Sequence, residues 1–123
     1  IDRLIDFFGN SNSDYACNHI DKLGNRYADG FGAEILSVDL LRSLASKATE
    51  PAHREHVTLY LWDHASDYSL ESVPAPRQLA YPELSFDVDS PEDLNTLARL
   101  LEQGIDLDTP AAAIVRLALR RVH

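Results

Sequence analysis

A chain of 123 residues, 45% apolar and 25% charged, has the size and composition of one soluble globular domain with a proper core, and is short for a complete nucleotide-handling α/β enzyme. Its net charge of −9 argues against nucleic acid or an anionic membrane as partner, although a bound divalent cation would reverse the field locally for an anionic substrate. The lone Cys17 has no internal disulfide partner, no apolar run reaches bilayer length, and the first residues carry no signal-peptide pattern, so the expected location is the cytoplasm.

Ile1, Leu4, Ile5 and Phe8 recur at helical spacing until Gly9-Asn10, which predicts an opening helix with no cap before it. That abrupt start is what a chain with further sequence upstream would show. Residues 14–18 read as a short strand, 21–32 as a Gly/Asp/Lys connection and 33–38 as a second strand. Val38, Leu41, Leu44, Ala45 and Ala48 then form the apolar stripe of an amphipathic helix, ended at Thr49-Glu50-Pro51 because the residue before proline avoids helical geometry. A further helix is expected to carry Val57, Tyr60, Leu61 and His64 on one face. Residues 69–73 read as a strand, Pro74-Ala75-Pro76 as a loop, and 85–89 as a strand leading directly into a helix. There Ser90 is the N-cap, Pro91 the first helical position and Asp93 a first-turn acid. Leu94, Leu97, Ala98 and Leu101 continue that helix to Gly104. A last helix, begun at Asp108-Thr109-Pro110, turns Ile114, Val115 and Ala118 inward, and Arg116, Arg120 and Arg121 complement the dipole at its end. Strands alternating with helices predict an α/β fold.

Three groups of residues carry candidate chemistry. Asp87 and Asp89, two apart on the expected strand, would point to one face at the mouth of the sheet and hold a magnesium ion, which favours one or two carboxylates with substrate phosphates. The same residues equally suit a helix start at Asp89 with Asp87 facing solvent. Arg54 and His56, expected near the start of a helix, have the chemistry to grip a carboxylate or phosphate and a sugar hydroxyl; a solvated first turn is the plainer reading. His53-Arg54-Glu55-His56 matches neither H-E-x-x-H nor H-x-x-E-H, which argues against zinc. In Tyr27-Ala28-Asp29-Gly30-Phe31-Gly32-Ala33-Glu34 two glycines allow close approach to a ligand, and Asp29 and Glu34 can accept hydrogen bonds from hydroxyls. Neither the P-loop nor the dinucleotide fingerprint is present. Cys17 reads as a buried small side chain rather than a nucleophile.

In this order, Asp14-Tyr15-Ala16-Cys17-Asn18, Tyr27 through Glu34, Arg54-Glu55-His56-Val57-Thr58-Leu59-Tyr60 and Asp87-Val88-Asp89-Ser90-Pro91-Glu92-Asp93-Leu94 resemble the C-terminal half of a sugar nucleotidyltransferase. The resemblance is to the cytidylyltransferase family of spore-coat polysaccharide biosynthesis protein F, and more distantly to acylneuraminate and keto-deoxy-octulosonate cytidylyltransferases. It implies a partial nucleotide-diphospho-sugar-transferase-like, Rossmann-like sheet flanked by helices. The implied organisation is a nucleotidyltransferase-like portion over 1–104 and a C-terminal helix over 105–123. The implied reaction moves a nucleotidyl group from CTP or another NTP to a sugar or sugar acid, with Mg2+. Asp89 would be a metal ligand with Asp87 beside it, Asp89 and Arg54 the catalytic residues, and Asn18, Asp29, Gly30, Glu34 and His56 the sugar contacts. The partners implied are the nucleotide and sugar, and a homodimer or an N-terminal half covering the sheet edge. Two departures stand out. The basic glycine-containing nucleotide loop of the family is absent from these residues, and Phe31-Gly32-Ala33 replaces the family's Leu-Asp-Val, removing a carboxylate. The alternative is a non-catalytic sugar-binding or association domain of the same ancestry.

Overall fold

The computed structural model describes residues 1–19 and 22–120, so Arg121 and part of the 21–32 connection lie outside the described residues. The chain divides into two compact units: Ile1–Cys17 with Ala33–Val73, and Asn18–Gly32 with Pro74–His123.

The first unit contains helix α1 (Asp2–Asn10), strands β1 (Tyr15–Cys17) and β2 (Glu34–Leu36), helices α2 (Val38–Lys47), α3 (Pro51–Glu55) and α4 (Leu59–Asp63), and strand β3 (Leu70–Ser72). The sheet is mixed and open. β1 lies in the middle, antiparallel to β2 and parallel to β3, so the helices between β2 and β3 form the crossover that a parallel neighbour requires. All three residues of β1 are buried, and they feed two apolar clusters on opposite faces. One face packs Tyr15 and Cys17 with Leu44 of α2 and Leu61 of α4; the other packs Ala16 with Leu4 of α1 and Val73. Cys17 is a buried free thiol whose Sγ donates to Ser72 Oγ at 3.6 Å. The expected amphipathic helix is α2, and the structure adds its cap: Ser37 Oγ accepts from the Leu40 amide at 3.1 Å, satisfying one open N–H of the first turn.

The single helix expected to carry Val57, Tyr60, Leu61 and His64 is two short helices. The break falls at His56–Val57–Thr58, and Val57 lies in the turn between α3 and α4. Consecutive β-branched residues resist helix, and the Thr58 hydroxyl donates to Glu34 Oε1 at 2.9 Å instead of serving the backbone. Arg54 consequently sits in the last turn of α3 and His56 at its C-terminal cap, not at a helix start.

The second unit contains helices α5 (Pro91–Leu101) and α6 (Ala111–Leu119) and a single parallel bridge, Asp29 to Ser85. The strand expected over 85–89 is therefore reduced to this one bridge. The pairing begins with Asp29 N–H to Leu84 O at 2.9 Å and Phe86 N–H to Asp29 O at 3.1 Å, then stops as Gly30 turns away at φ +94°. Beyond it the amides bond locally: Asp87 N–H to Ser85 Oγ at 3.4 Å and Asp89 N–H to Asp93 Oδ2 at 3.3 Å. The face-sharing argument for Asp87 and Asp89 accordingly does not apply. The helix start read from the sequence is complete. Ser90 and Asp93 form a reciprocal capping box, with Pro91 in the first turn. α5 runs to Leu101 and is followed by a turn to Gly104 at φ +85°; in α6, Val115 is fully buried and Ile114 and Ala118 half-buried. Among the described residues no helix is long and apolar enough to cross a membrane.

Candidate functional site

The chemistry of the second unit gathers at the Asp29–Ser85 bridge, which brings Asp29 and Asp87 together from distant parts of the sequence. The Asp87 carboxyl is held above its usual range, first by partial burial, then by a side-chain hydrogen bond with Asp29 and by the charges of Asp29 and Asp89. A hydrogen bond between two carboxyl groups needs a proton on one of them, and full ionisation turns it into repulsion. A hard cation in place of that proton would relieve the repulsion. The His19 imidazole acts in the opposite sense on Asp87. Asp29 also accepts the Gly30 amide at 2.9 Å through Oδ1, which fixes its carboxylate on the loop.

The two glycines of this loop are sterically required. A Cβ at Gly30 would stand 2.9 Å from Phe86 Cβ and 3.0 Å from its carbonyl carbon, in a backbone conformation that L-residues avoid. A Cβ at Gly32 would overlap Cα and Cβ of His19 and lie 2.7 Å from Asn18 O. Between them the Phe31 ring lies against Phe86, tilted at 47° with 4.6 Å between ring centres. Behind this pair lies an apolar cavity of about 260 Å³ lined by Gly30, Phe86, Leu97, Leu101, Ile105 and Ile114 among others. Asn18 is buried, and Asn25, also buried, braces the loop: its Nδ2 donates to His19 O at 3.3 Å and its Oδ1 accepts the Tyr27 amide at 2.9 Å.

The sequence-predicted residues fall into both units. Asn18, Asp29, Gly30, Asp87 and Asp89 belong to the second, and Asp89 is exposed at the entry to the α5 cap. Glu34, Arg54 and His56 belong to the first. There Glu34 accepts hydrogen bonds from the Tyr15 and Thr58 hydroxyls. Burial and that hydrogen bond push the Tyr15 phenol far above its usual range, so it remains a neutral donor to Glu34. Arg54 donates through Nη1 to Ala45 O at 3.1 Å and, with His53, Leu41 and Val57, edges a cavity of about 250 Å³. His53 Nε2 lies 2.8 Å from Asp63 Oδ2. His56 is exposed.

Sequence reasoning missed the Asp29–Asp87 pairing and the place of His19. The available signal for the second was Gly32, a small residue where the resemblance leads one to expect a carboxylate.

The fit to magnesium rests on the donor set. Among the described residues no three acidic, histidine or cysteine side chains converge as an all-protein cage. Magnesium seldom uses such a cage; one or two carboxylates with phosphates and water suffice, and Asp29 with Asp87 supplies hard oxygens of that number.

These features meet the comparisons with known proteins at the level of the fold. No protein-family model matches the chain. A solved cytidylyltransferase from Leptospira borgpetersenii matches 98% of this chain and 49% of its own length with a TM-score of 0.81 at 19% identity. The chain thus has a mixed open sheet flanked by helices, consistent with part of a Rossmann-like nucleotidyltransferase fold. Among curated proteins, the spore coat polysaccharide biosynthesis protein SpsF of Bacillus subtilis is 28% identical over 93 residues, covering 74% of this chain and 39% of that protein. The chain spans less than half the length of either, and its relationship to the cytidylyltransferase-fold proteins is distant.

Proposed function

We propose that this chain is the sugar-binding and metal-completing part of a cytidylyltransferase-like sugar nucleotidyltransferase. The observation that carries the reading is the Asp29–Ser85 bridge, which brings the Asp29 carboxylate, on a loop whose two glycines admit no side chain, to the segment that carries Asp87. Folded proteins tolerate acids brought together chiefly where a cation or proton is to be held. A bound Mg2+ would neutralise phosphate charge during nucleotidyl transfer and hold the reacting groups in line. Asp87, with Asp89 and Asp29 beside it, would hold the ion. Asn18, Asp29 and Gly30 would contact sugar hydroxyls, the backbone of Gly30 allowing close approach. The first unit carries Glu34, Arg54 and His56, for which the same reading proposes sugar contacts, and Arg54 a share in catalysis as well.

The nucleotide is CTP or another NTP and the acceptor a sugar or sugar acid, in polysaccharide or glycoconjugate synthesis in the cytoplasm. Exposed Val38, Leu41 and Val57 in the first unit support association into a homodimer or cover by further chain. The rival reading is a non-catalytic sugar-binding or association domain of the same ancestry. Pyrophosphate release from CTP by the complete gene product, with a panel of sugar acids and Mg2+, separates the two. Release that requires both acceptor and Mg2+ supports the transferase; acceptor binding without release supports the rival.

A further inference from the structure

Among the described residues Arg54 is a cation with no acidic partner. The chain carries 20 acidic residues against 11 basic ones, yet the hydrogen bond this guanidinium donates goes to the Ala45 carbonyl at 3.1 Å. That bond ties it to the last turn of α2 and holds it at the wall of the first unit's cavity. The wall is completed by Leu41, Leu44 and Ala45 of α2, His53 of α3, and Val57. His53 is already answered: its Nε2 lies 2.8 Å from Asp63 Oδ2, and its ring meets Tyr60 edge-on at 5.3 Å between centres. The four remaining lining residues are aliphatic. Leu41 and Val57 are 40% and 58% exposed, so the cavity opens at the surface and apolar area at its mouth stays in water, where covering it is favourable.

The ligand that matches this wall has an aliphatic body and one anionic end. A guanidinium takes a carboxylate in bidentate fashion, and the Leu and Val side chains take the body. At about 250 Å³ the cavity falls below the roughly 300–1,000 Å³ that drug-sized ligands occupy, so the body is short. A sugar fits it poorly, because hydroxyls set against aliphatic side chains lose the hydrogen bonds they make in water.

We propose that the cavity between α2, α3 and Val57 is a binding site for a short aliphatic carboxylate, with Arg54 on the carboxylate and Leu41, Leu44, Ala45 and Val57 around the chain. The site belongs to the first unit alone. It competes with the transferase reading only for Arg54, since neither Glu34 nor His56 lines the cavity. Failure of that reading leaves this one intact.

The test is binding of butanoate, hexanoate and octanoate, of hexan-1-ol, and of N-acetylneuraminate to the complete gene product and to its Arg54→Gln and Arg54→Lys variants. Binding is read by calorimetry and by the methyl resonances of Leu41, Leu44, Ala45 and Val57. The wild type is expected to gain about 4-fold in affinity for each methylene that enters the cavity. It should bind hexanoate about 10-fold tighter than hexan-1-ol, as a charge-assisted hydrogen bond gives. Arg54→Gln should equalise acid and alcohol while keeping the dependence on chain length, and Arg54→Lys should restore part of the preference. Affinity indifferent to chain length, equal binding of acid and alcohol by the wild type, binding of neither, or a preference that survives in Arg54→Gln would overturn the proposal. Larger movement of these methyls with N-acetylneuraminate than with hexanoate would also overturn it, and would give the cavity to the sugar. A circular-dichroism melt of each variant identifies loss of folding, and the wild-type methyl resonances then decide by themselves. Movement that saturates at lower hexanoate than hexan-1-ol supports the proposal, and no movement overturns it.

Discussion

In the first unit polar side chains pair with groups of complementary chemistry: Glu34 takes the Tyr15 and Thr58 hydroxyls, Arg54 the Ala45 carbonyl, and His53 the Asp63 carboxylate. In the second unit the acids lean on one another. Asp87 meets Asp29 and feels Asp89, and little regular structure surrounds them beyond one bridge and the α5 cap. The first arrangement is what a scaffold requires, since buried polar groups must be satisfied. The second sets acids near one another from the two sides of the Asp29–Ser85 bridge, an arrangement that raises the Asp87 carboxyl above its usual range.

Substitutions should break the two units in different ways. Gly32→Ala has the largest expected effect, at least about 3 kcal/mol lost in chemical denaturation, because the added methyl meets backbone rather than a movable side-chain end. Leu61→Ala in the first unit should cost about 3 kcal/mol by cavity formation around a fully buried residue, without altering divalent-ion affinity. A Leu61→Ala protein that loses metal affinity while still folded would blur the division between scaffold and site.

Ser90→Ala should cost about 1 kcal/mol in denaturation by opening the capping box of α5. The same box is pH-sensitive. The Ser90 hydroxyl, more than the Asp89 and Ser90 amides, holds the Asp93 carboxyl below its usual range. Its contribution to stability is present above the ordinary carboxylate value and is lost as pH falls through the lower folded value. The gap between wild type and Ser90→Ala should therefore narrow in acid melts, leaving the part due to the Asp93 amide bond to Ser90 Oγ.

The smallest change in stability, and the most telling, belongs to Asp87→Asn. The folded carboxyl titrates above the ordinary value of 3.8, so its contribution is full below that value and is lost as pH rises through the higher folded one. Asp87→Asn should accordingly be slightly more stable than wild type at neutral pH, by no more than about 0.5 kcal/mol for so exposed a group. The two proteins should draw together as the medium is acidified. A variant less stable than wild type at neutral pH would assign Asp87 to the scaffold.

Much of this was legible in the sequence where short-range rules decide. The α2 stripe from Val38 to Ala48, the Thr49-Glu50-Pro51 stop, and the Ser90-Pro91-Asp93 start follow from local patterning and capping. The break at Val57-Thr58 escaped because Val57, Tyr60, Leu61 and His64 keep one helical period across two helices, and the residue that draws Thr58 away is Glu34, distant in sequence. The 85–89 strand escaped for a related reason: a strand lasts only as long as its partner, and Gly30 leaves after one bridge. The acids were visible as Asp87 and Asp89, but the neighbour that hydrogen-bonds Asp87 is Asp29, a pairing only the tertiary fold creates.

The central claim is that the crowded carboxylates hold a divalent ion for nucleotidyl transfer. Mn2+ binding to the complete gene product in the presence of CMP, followed by electron paramagnetic resonance, tests it most directly. The account predicts a bound ion in the wild type and an affinity weakened about 10-fold or more in Asp87→Asn, with the fold intact. Equal Mn2+ affinity in the two proteins would contradict it.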